Sequence, residues 1–201
     1  MGKKYSRIQA DLGFRTELIY DPLRAAEPDF LDIVSKHCLQ NRPGNILECS
    51  SGLTTLILAR CCQLNNYGHV FSLENDYRHR AETIEILNQH HLQDYATVLH
   101  APLVDTRIGK ESYRWYLVES LPVNNIEMLV IDGPPGYIQK NSRFPAIPVL
   151  ADRLANGVVI FLDDADREDE RMIVDRWKSE TGLSLSELST KRGCARLSTT
   201  N

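Results

Sequence analysis

The sequence is short of several things at once. None of its 201 residues belongs to an apolar run long enough to span a bilayer, and no charged-then-apolar leader opens it, so the expectation is a cytoplasmic protein with no membrane role. An excess of positive charge is missing as well. Asp and Glu number 27 against 23 Lys and Arg, a net charge of −4, which argues against a nucleic-acid partner. The five cysteines, Cys38, Cys49, Cys61, Cys62 and Cys194, are odd in number and form no C-x-x-C, which argues against a disulfide framework and a zinc site and for reduced thiols. Internal repeats and low-complexity linkers are lacking too. Glycine is scarce where it is most expected: the loop "ECSSGLTT" carries Ser50-Ser51-Gly52 where a nucleotide-binding turn would read G-x-G.

What is present fits one globular α/β domain. Apolar residues make up 42% and charged residues 25% of the chain. Residues 1–44 are broken by Pro22, Pro28 and Pro43 and are expected to form a helical N-terminal segment packing over the cleft. The spacing of Phe30, Leu31, Val34 and Cys38 predicts a helix there, with Asp29 as its cap. From residue 45 to 201 strands and helices alternate. "NILEC", "HVFSLE", "ATVLHA", "IEMLVIDG" and "GVVIFLDD" read as five strands, separated by helical stretches that include "TTLILARCCQL", "YRHRAETIEILNQHH" and "RFPAIPVLADRL". "REDERMIVDRWKSET" reads as the last helix, and "LSLSELS" and "GCARLST" as a closing hairpin around Lys191-Arg192-Gly193. That order implies a Rossmann-like, doubly wound, mostly parallel sheet between two helical layers, with its ligand at the carboxyl ends of the strands.

Those ends are acidic. Glu48 precedes Ser50, Ser51, Gly52 and Thr54; Glu74, Asn75 and Asp76 follow the second strand; His100 and Ala101 the third; Asp132-Gly-Pro-Pro-Gly136 the fourth; and Asp163-Asp164-Ala-Asp-Arg167 the fifth. So many carboxylates do not suit a pyrophosphate, which wants backbone N–H groups and positive charge. Glu74 stands 22 residues after Gly52, where a carboxylate can accept hydrogen bonds from both hydroxyls of a bound ribose; the alternative is a helix cap.

"ILECSSGLTT", "FSLEND", "LVIDGPPG" and "VVIFLDDADR", in this order, resemble class I S-adenosylmethionine-dependent methyltransferases, most of all small bacterial enzymes with an Ile-Asp-Gly-Pro-Pro-Gly segment. The resemblance runs from residue 44 to about 197. It implies seven strands with the last antiparallel, and S-adenosylmethionine as cofactor. Carried over by position, it implies Glu48 facing the methionine amino group, Ser50, Ser51 and Gly52 in the turn under methionine and ribose, with Thr54 next to that turn, Glu74 on the ribose, Asn75 and Ala101 by the adenosine, and Asp132 beneath the sulfonium and the acceptor. Ser50 replaces the family's first loop glycine, a change that strains the loop only if its φ is positive.

On the acceptor side, Asp132, Asp163 and Asp164 end neighbouring strands of that topology, and three converging carboxylates suit Mg²⁺; relatives of catechol O-methyltransferase hold a metal at matching places. The alternative is that Asp163 and Asp164 cap the last helix and pair with Arg167 or Arg171. Lys140 and His100 are candidate catalytic bases beside Asp132. Tyr137 is a candidate wall of the acceptor pocket, Arg143 either binds an anion or pairs with an acid, and Tyr113, Trp115 and Tyr116 read as packing in preference to ligand stacking. The expected function is methyl transfer to a small-molecule acceptor, a hydroxyl first, with possible metal assistance. Against it stand a methyltransferase-like binding protein without catalysis, a nicotinamide-dependent oxidoreductase and an aminopropyl transferase.

Overall fold

The computed structural model describes residues 4–18 and 25–199, so Pro22 lies outside the described residues. The elements run α1 (Ser6–Asp11), α2 (Pro28–Asn41), β1 (Asn45–Cys49), α3 (Leu53–Asn65), β2 (His69–Glu74), α4 (Tyr77–Gln89) and β3 (Ala96–His100). They continue β4 (Leu103–Ile108), β5 (Glu111–Tyr116), β6 (Ile126–Ile131), α5 (Ala146–Leu150), β7 (Leu154–Asp163), α6 (Glu168–Thr181), β8 (Ser184–Leu188) and β9 (Cys194–Ser198).

Seven strands form one sheet in the order β3-β2-β1-β6-β7-β9-β8. β1, β2, β3, β6 and β7 pair in parallel, and β9 alone runs antiparallel to both of its neighbours, β7 and β8. The chain order reverses between β1 and β6, and a ligand crevice opens above such a switch point.

The strands are buried on both faces, as their unbroken apolar runs require. Alternation sends Ile46, Val70, Met128, Val130 and Phe161 to one core with α2, α3 and α4. It sends Leu47, Cys49, Leu129, Ile131, Ile160 and Leu162 to the other with Phe144, Leu150, Ile173 and Trp177. The result is three layers, helix, sheet and helix, as the strand–helix alternation predicts.

Three differences from the sequence reading have physical causes. The stretch 143–154 holds only the five-residue α5 and a 3₁₀ turn, Ala151–Arg153, because Pro145 and Pro148 remove backbone donors. Residues 103–116, read only as packing aromatics, form a β4–β5 hairpin whose two-residue connection uses Gly109 at φ 59°. Asp29 does not cap α2: Pro28 opens the helix, and the Asp29 carboxylate accepts from Phe30 N and Lys191 N.

The N-terminal residues pack against helices. Tyr5, Ile8, Leu12 and Phe14 join the core of α2 and α3, and Tyr5 donates to the Ala26 carbonyl at 2.8 Å. None of residues 4–18 or 25–44 lines the cleft described below, so the expected cover over the cleft is not found among the described residues.

Candidate active site

A cleft of about 780 Å³ opens at the carboxyl ends of the strands. One half is built on β1 and β2 and is lined by Ser50, Ser51, Glu74, Asn75, Asp76 and His79. The loop between β1 and α3 is clamped from two sides. Ser51 Oγ donates to Glu74 Oε2 at 2.8 Å and lies 3.1 Å from Thr83 Oγ1, while His79 Nε2 meets the Ser51 carbonyl at 2.9 Å. Beneath the loop, Gly52 N donates to Thr55 Oγ1, and Thr55 and Ser72 both donate to Glu48 Oε2, at 2.6 and 2.7 Å. Burial raises the Glu48 carboxyl to about 8 despite those two hydroxyls, with the charges of Asp132 and Glu74 adding to the rise.

Ser50 has φ 118°, a backbone region that favours glycine. The turn therefore keeps the shape of a glycine loop and carries strain of roughly 1–3 kcal/mol, held by the clamps on Ser51. Asp76, not Glu74, caps α4, its Oδ1 accepting from His79 N at 2.8 Å. Glu74 Oε1 accepts from Asp76 N at 2.9 Å, so each oxygen of Glu74 carries one protein hydrogen bond in the wall of the cleft.

The other half is charged. It is lined by Asp132, Gly133, Arg143, Asp164, Arg167, Glu170 and Arg192, among others. Asp132, Asp163 and Asp164 do converge, with one oxygen from each within 4.8 Å of the others. They converge on guanidinium groups. Arg143, only 3% exposed, donates to Asp132 Oδ1 and Asp164 Oδ2, both at 3.1 Å, and to the Asp132 and Asp163 carbonyls at 3.0 and 2.9 Å. Arg192 reaches Asp163 Oδ2 at 3.2 Å and Asp164 Oδ1 at 3.1 Å, and Arg167 reaches Asp164 Oδ2 at 3.0 Å. Burial pushes Asp132 up to about 6, with Arg143 opposing and Asp164 assisting. Burial, Asp132 and Asp164 push Asp163 up as well. Neither Asp163 nor Asp164 caps α6, whose first turn has no side-chain cap; the Asp164–Arg167 pair is the arrangement that the alternative reading anticipates.

A methyltransferase domain model matches residues 47–165, more than half of the chain, a span that carries Ser50, Glu74, Asp132 and Asp164 of the cleft but not Arg167, Glu170 or Arg192. The chain belongs to the methyltransferase domain family. No curated protein matches the sequence. Among solved structures, the fold is similar to the O-methyltransferase of Bacillus cereus in complex with SAH, at 17% identity and TM-score 0.67 over 89% of this chain and 84% of that one. It is similar to SAH-bound Podospora anserina methyltransferase PaMTH1, at 10% identity and TM-score 0.69 over 100% and 89%. It is also similar to the O-methyltransferase TomG of Streptomyces achromogenes in complex with SAM, at 12% identity and TM-score 0.63 over 98% and 88%. At these identities the likeness is one of fold.

Within this methyltransferase domain, the expected site residues divide. Ser50, Ser51, Glu74, Asn75, Asp132 and Asp164 line the cleft; Glu48, Gly52, Thr54, Ala101 and Asp163 do not. Glu48 does not face the cleft because strand alternation turns it toward α3, where Thr55 holds it. Ala101 N donates to the Glu74 carbonyl and fixes the β2 end from below. His100 is drawn aside: its ring stacks on Tyr77 with centroids 3.6 Å apart. Lys140 is exposed beyond the 3₁₀ turn Gly136–Ile138 and does not line the cleft, whereas Tyr137, 91% exposed, stands on its rim.

Tyr116, which the sequence reading favours as packing over ligand stacking, belongs to the site. It closes β5, is 2% exposed, and lines the cleft. Its hydroxyl has no hydrogen-bond partner among the described residues, and a Cβ built on Gly133 would lie 2.5 Å from it. Glycine at 133 therefore makes room for the phenol. Burial raises Tyr116 well above its usual value, with Cys49 and Glu74 adding, so the hydroxyl stays protonated. The legible signal is the alternation on either side of Gly109-Lys110, which marks a hairpin ending at residue 116.

Proposed function

We propose that this protein transfers a methyl group from S-adenosylmethionine to a small-molecule acceptor through a hydroxyl oxygen. Glu74 carries the reading. Each of its oxygens accepts one bond from the protein, which leaves lone pairs on both for the two hydroxyls of a ribose. The acidic lining suits a ligand bearing a sulfonium and an ammonium group and repels a dinucleotide pyrophosphate, which sets the oxidoreductase aside. The solved neighbours from Bacillus cereus and Streptomyces achromogenes, both O-methyltransferases, support the oxygen acceptor. Five buried free thiols support a reducing compartment such as the cytoplasm.

S-adenosylmethionine, when bound, supplies an activated methyl group. The chain supplies position and a proton acceptor. Arg143 holds Asp132 Oδ1, and Oδ2 has no partner among the described residues, so Oδ2 is the oxygen that takes the proton of the acceptor hydroxyl. A carboxyl raised to about 6 is a stronger base than an ordinary one and is still ionised at neutral pH. The Tyr116 hydroxyl orients the ligand across Ser50 and Gly133. A divalent ion does not fit the aspartate cluster, because guanidinium groups already occupy four of its six carboxylate oxygens.

The positive φ of Ser50 favours a second reading, a binding protein of the same fold that has lost catalysis. Isothermal titration with S-adenosylmethionine, S-adenosylhomocysteine and NAD separates these. Binding of the first two with turnover of a hydroxyl acceptor is expected; binding without turnover across phenol, sugar and hydroxy-acid panels favours the second reading. Absence of S-adenosylmethionine binding at millimolar ligand sinks both.

A further inference from the structure

Three carboxylates at the ends of two adjacent strands make a ready divalent-ion site, and the oxygens of Asp132, Asp163 and Asp164 are close enough to share one ion. Yet five of their six oxygens are already engaged. Asp132 Oδ1 accepts from Arg143; Asp163 Oδ1 from Asp164 N and Asp163 Oδ2 from Arg192; Asp164 Oδ1 is ion-paired with Arg192 Nε at 3.1 Å without a hydrogen bond between them; and Asp164 Oδ2 meets both Arg143 and Arg167. Arg143 Nη2 stands 3.1 Å from both Asp132 Oδ1 and Asp164 Oδ2, the place where a shared cation would sit.

Arg143 cannot simply swing away. Ser142 Oγ donates to the Pro134 carbonyl, and the Phe144 carbonyl accepts from Trp177 Nε1 at 2.9 Å, so the residues on both sides are pinned. The Phe144 ring is covered by the Arg176 guanidinium, 3.7 Å from its centroid. The guanidinium itself is desolvated, and Asp132, Asp164, Glu170 and Asp163 hold it charged against the effect of burial. A planar fork with five donors satisfies several carboxylates at once, which a hydrated Mg²⁺ does only after losing water.

We infer that Arg143 is the resident cation of this cluster, occupying the place of a divalent metal, so that the protein works without one and removal of the guanidinium opens a metal site. The inference rests on the methyl-transfer reading only for its consequence in catalysis. There, Arg143 is a positioning residue: it fixes Asp132 but offers no open coordination position to an acceptor oxygen, which leaves deprotonation to Asp132 Oδ2.

The test is titration of Mn²⁺ into the full chain, read by the electron paramagnetic resonance signal of the free ion, with neither cofactor nor acceptor present. The wild-type protein is expected to leave the free signal equal to that of buffer up to about 1 mM Mn²⁺, the weak end of protein sites for hard cations. The Arg143→Met protein, checked for folding by its thermal melt, is expected to take up about one ion per chain, and the Arg143→Met/Asp164→Asn protein to lose it. Stoichiometric binding by the wild type that disappears in Asp164→Asn overturns the proposal. So does a folded Arg143→Met protein that binds nothing. If that variant fails to fold, the wild-type titration decides alone. Because no methyl donor is used, failure here is distinct from failure of the methyl-transfer reading.

Discussion

The two halves of the cleft are built on opposite principles. The β1–β2 half is held by neutral hydroxyls and backbone groups, Ser51, Thr55, Ser72 and Thr83 around two carboxylates, and it leaves the Glu74 oxygens half-satisfied in the wall. The β6–β7 half is held by charge: four carboxylates, Asp132, Asp163, Asp164 and Glu170, around three guanidinium groups that pair with five of their eight oxygens. A half-satisfied wall is suited to take up a ligand; a self-satisfied cluster is suited to hold a fixed geometry. The first half therefore reads as a binding surface and the second as a positioned base.

The comparison breaks most sharply at Asp132. Asp132→Asn keeps the shape but removes the proton acceptor, and turnover should fall by about 10²–10⁴-fold while S-adenosylmethionine affinity, measured by titration, changes little. The reverse split is expected at Glu74. Glu74→Gln should weaken the cofactor by roughly 10–100-fold, since hydrogen bonds to charged groups contribute about 1.5–3 kcal/mol, with turnover at saturation nearly intact. Equal losses in both quantities for both variants would dissolve the distinction between the halves.

Glu48 sharpens it through pH. Its carboxyl rises from the usual 4.5 to about 8 in the fold, so folding favours the protonated form. That contribution is whole below 4.5 and is lost as pH climbs toward 8, with a slope of at most about 1.4 kcal/mol per pH unit. Urea midpoints should therefore fall with pH for the wild type across this window and fall less for Glu48→Gln.

Two smaller effects test the residues where the halves meet. Tyr116→Phe removes a hydroxyl that bonds nothing among the described residues, so the thermal midpoint should hold while kcat/KM falls about 10-fold, equivalent to about 1.4 kcal/mol. A drop in the midpoint would make the hydroxyl structural instead. Ser50→Gly relieves a φ of 118° and should raise stability by about 1 kcal/mol in chemical denaturation without weakening the cofactor. A loss of stability there would mean that the Ser50 side chain, not its backbone, fixes the loop.

Much of the first half was legible along the chain. Strand ends are marked by apolar runs that stop at acids, so "HVFSLE" gives β2 and places Glu74 at its end, and the loop after "NILEC" follows from the turn residues. Even the doubt about Ser50 was legible as a question, because only its φ was missing. Strand parity, which turns Glu48 inward, and the Tyr77 ring that draws His100 aside depend on register and on neighbours, and no local pattern shows them.

The second half was legible in parts only. The sequence shows that Asp132, Asp163 and Asp164 end strands, that Arg143 and Arg167 open the stretches read as the following helices, and that Arg192 sits in the closing turn. Whether three acids meet a metal or three arginines depends on where the segments 142–144 and 190–193 fall, and Pro145, Trp177 and the β8–β9 turn set that. Hydrophobic period and turn chemistry are short-range properties, so the sequence by itself determined five alternating strands with a closing hairpin and the acidic ends of those strands, while the seven-stranded sheet came as what the family resemblance implies. Charge pairing acts through space between residues far apart in the chain, 60 positions for Arg192 and Asp132. Only the tertiary structure could decide that the acids of the acceptor side were already answered by arginine.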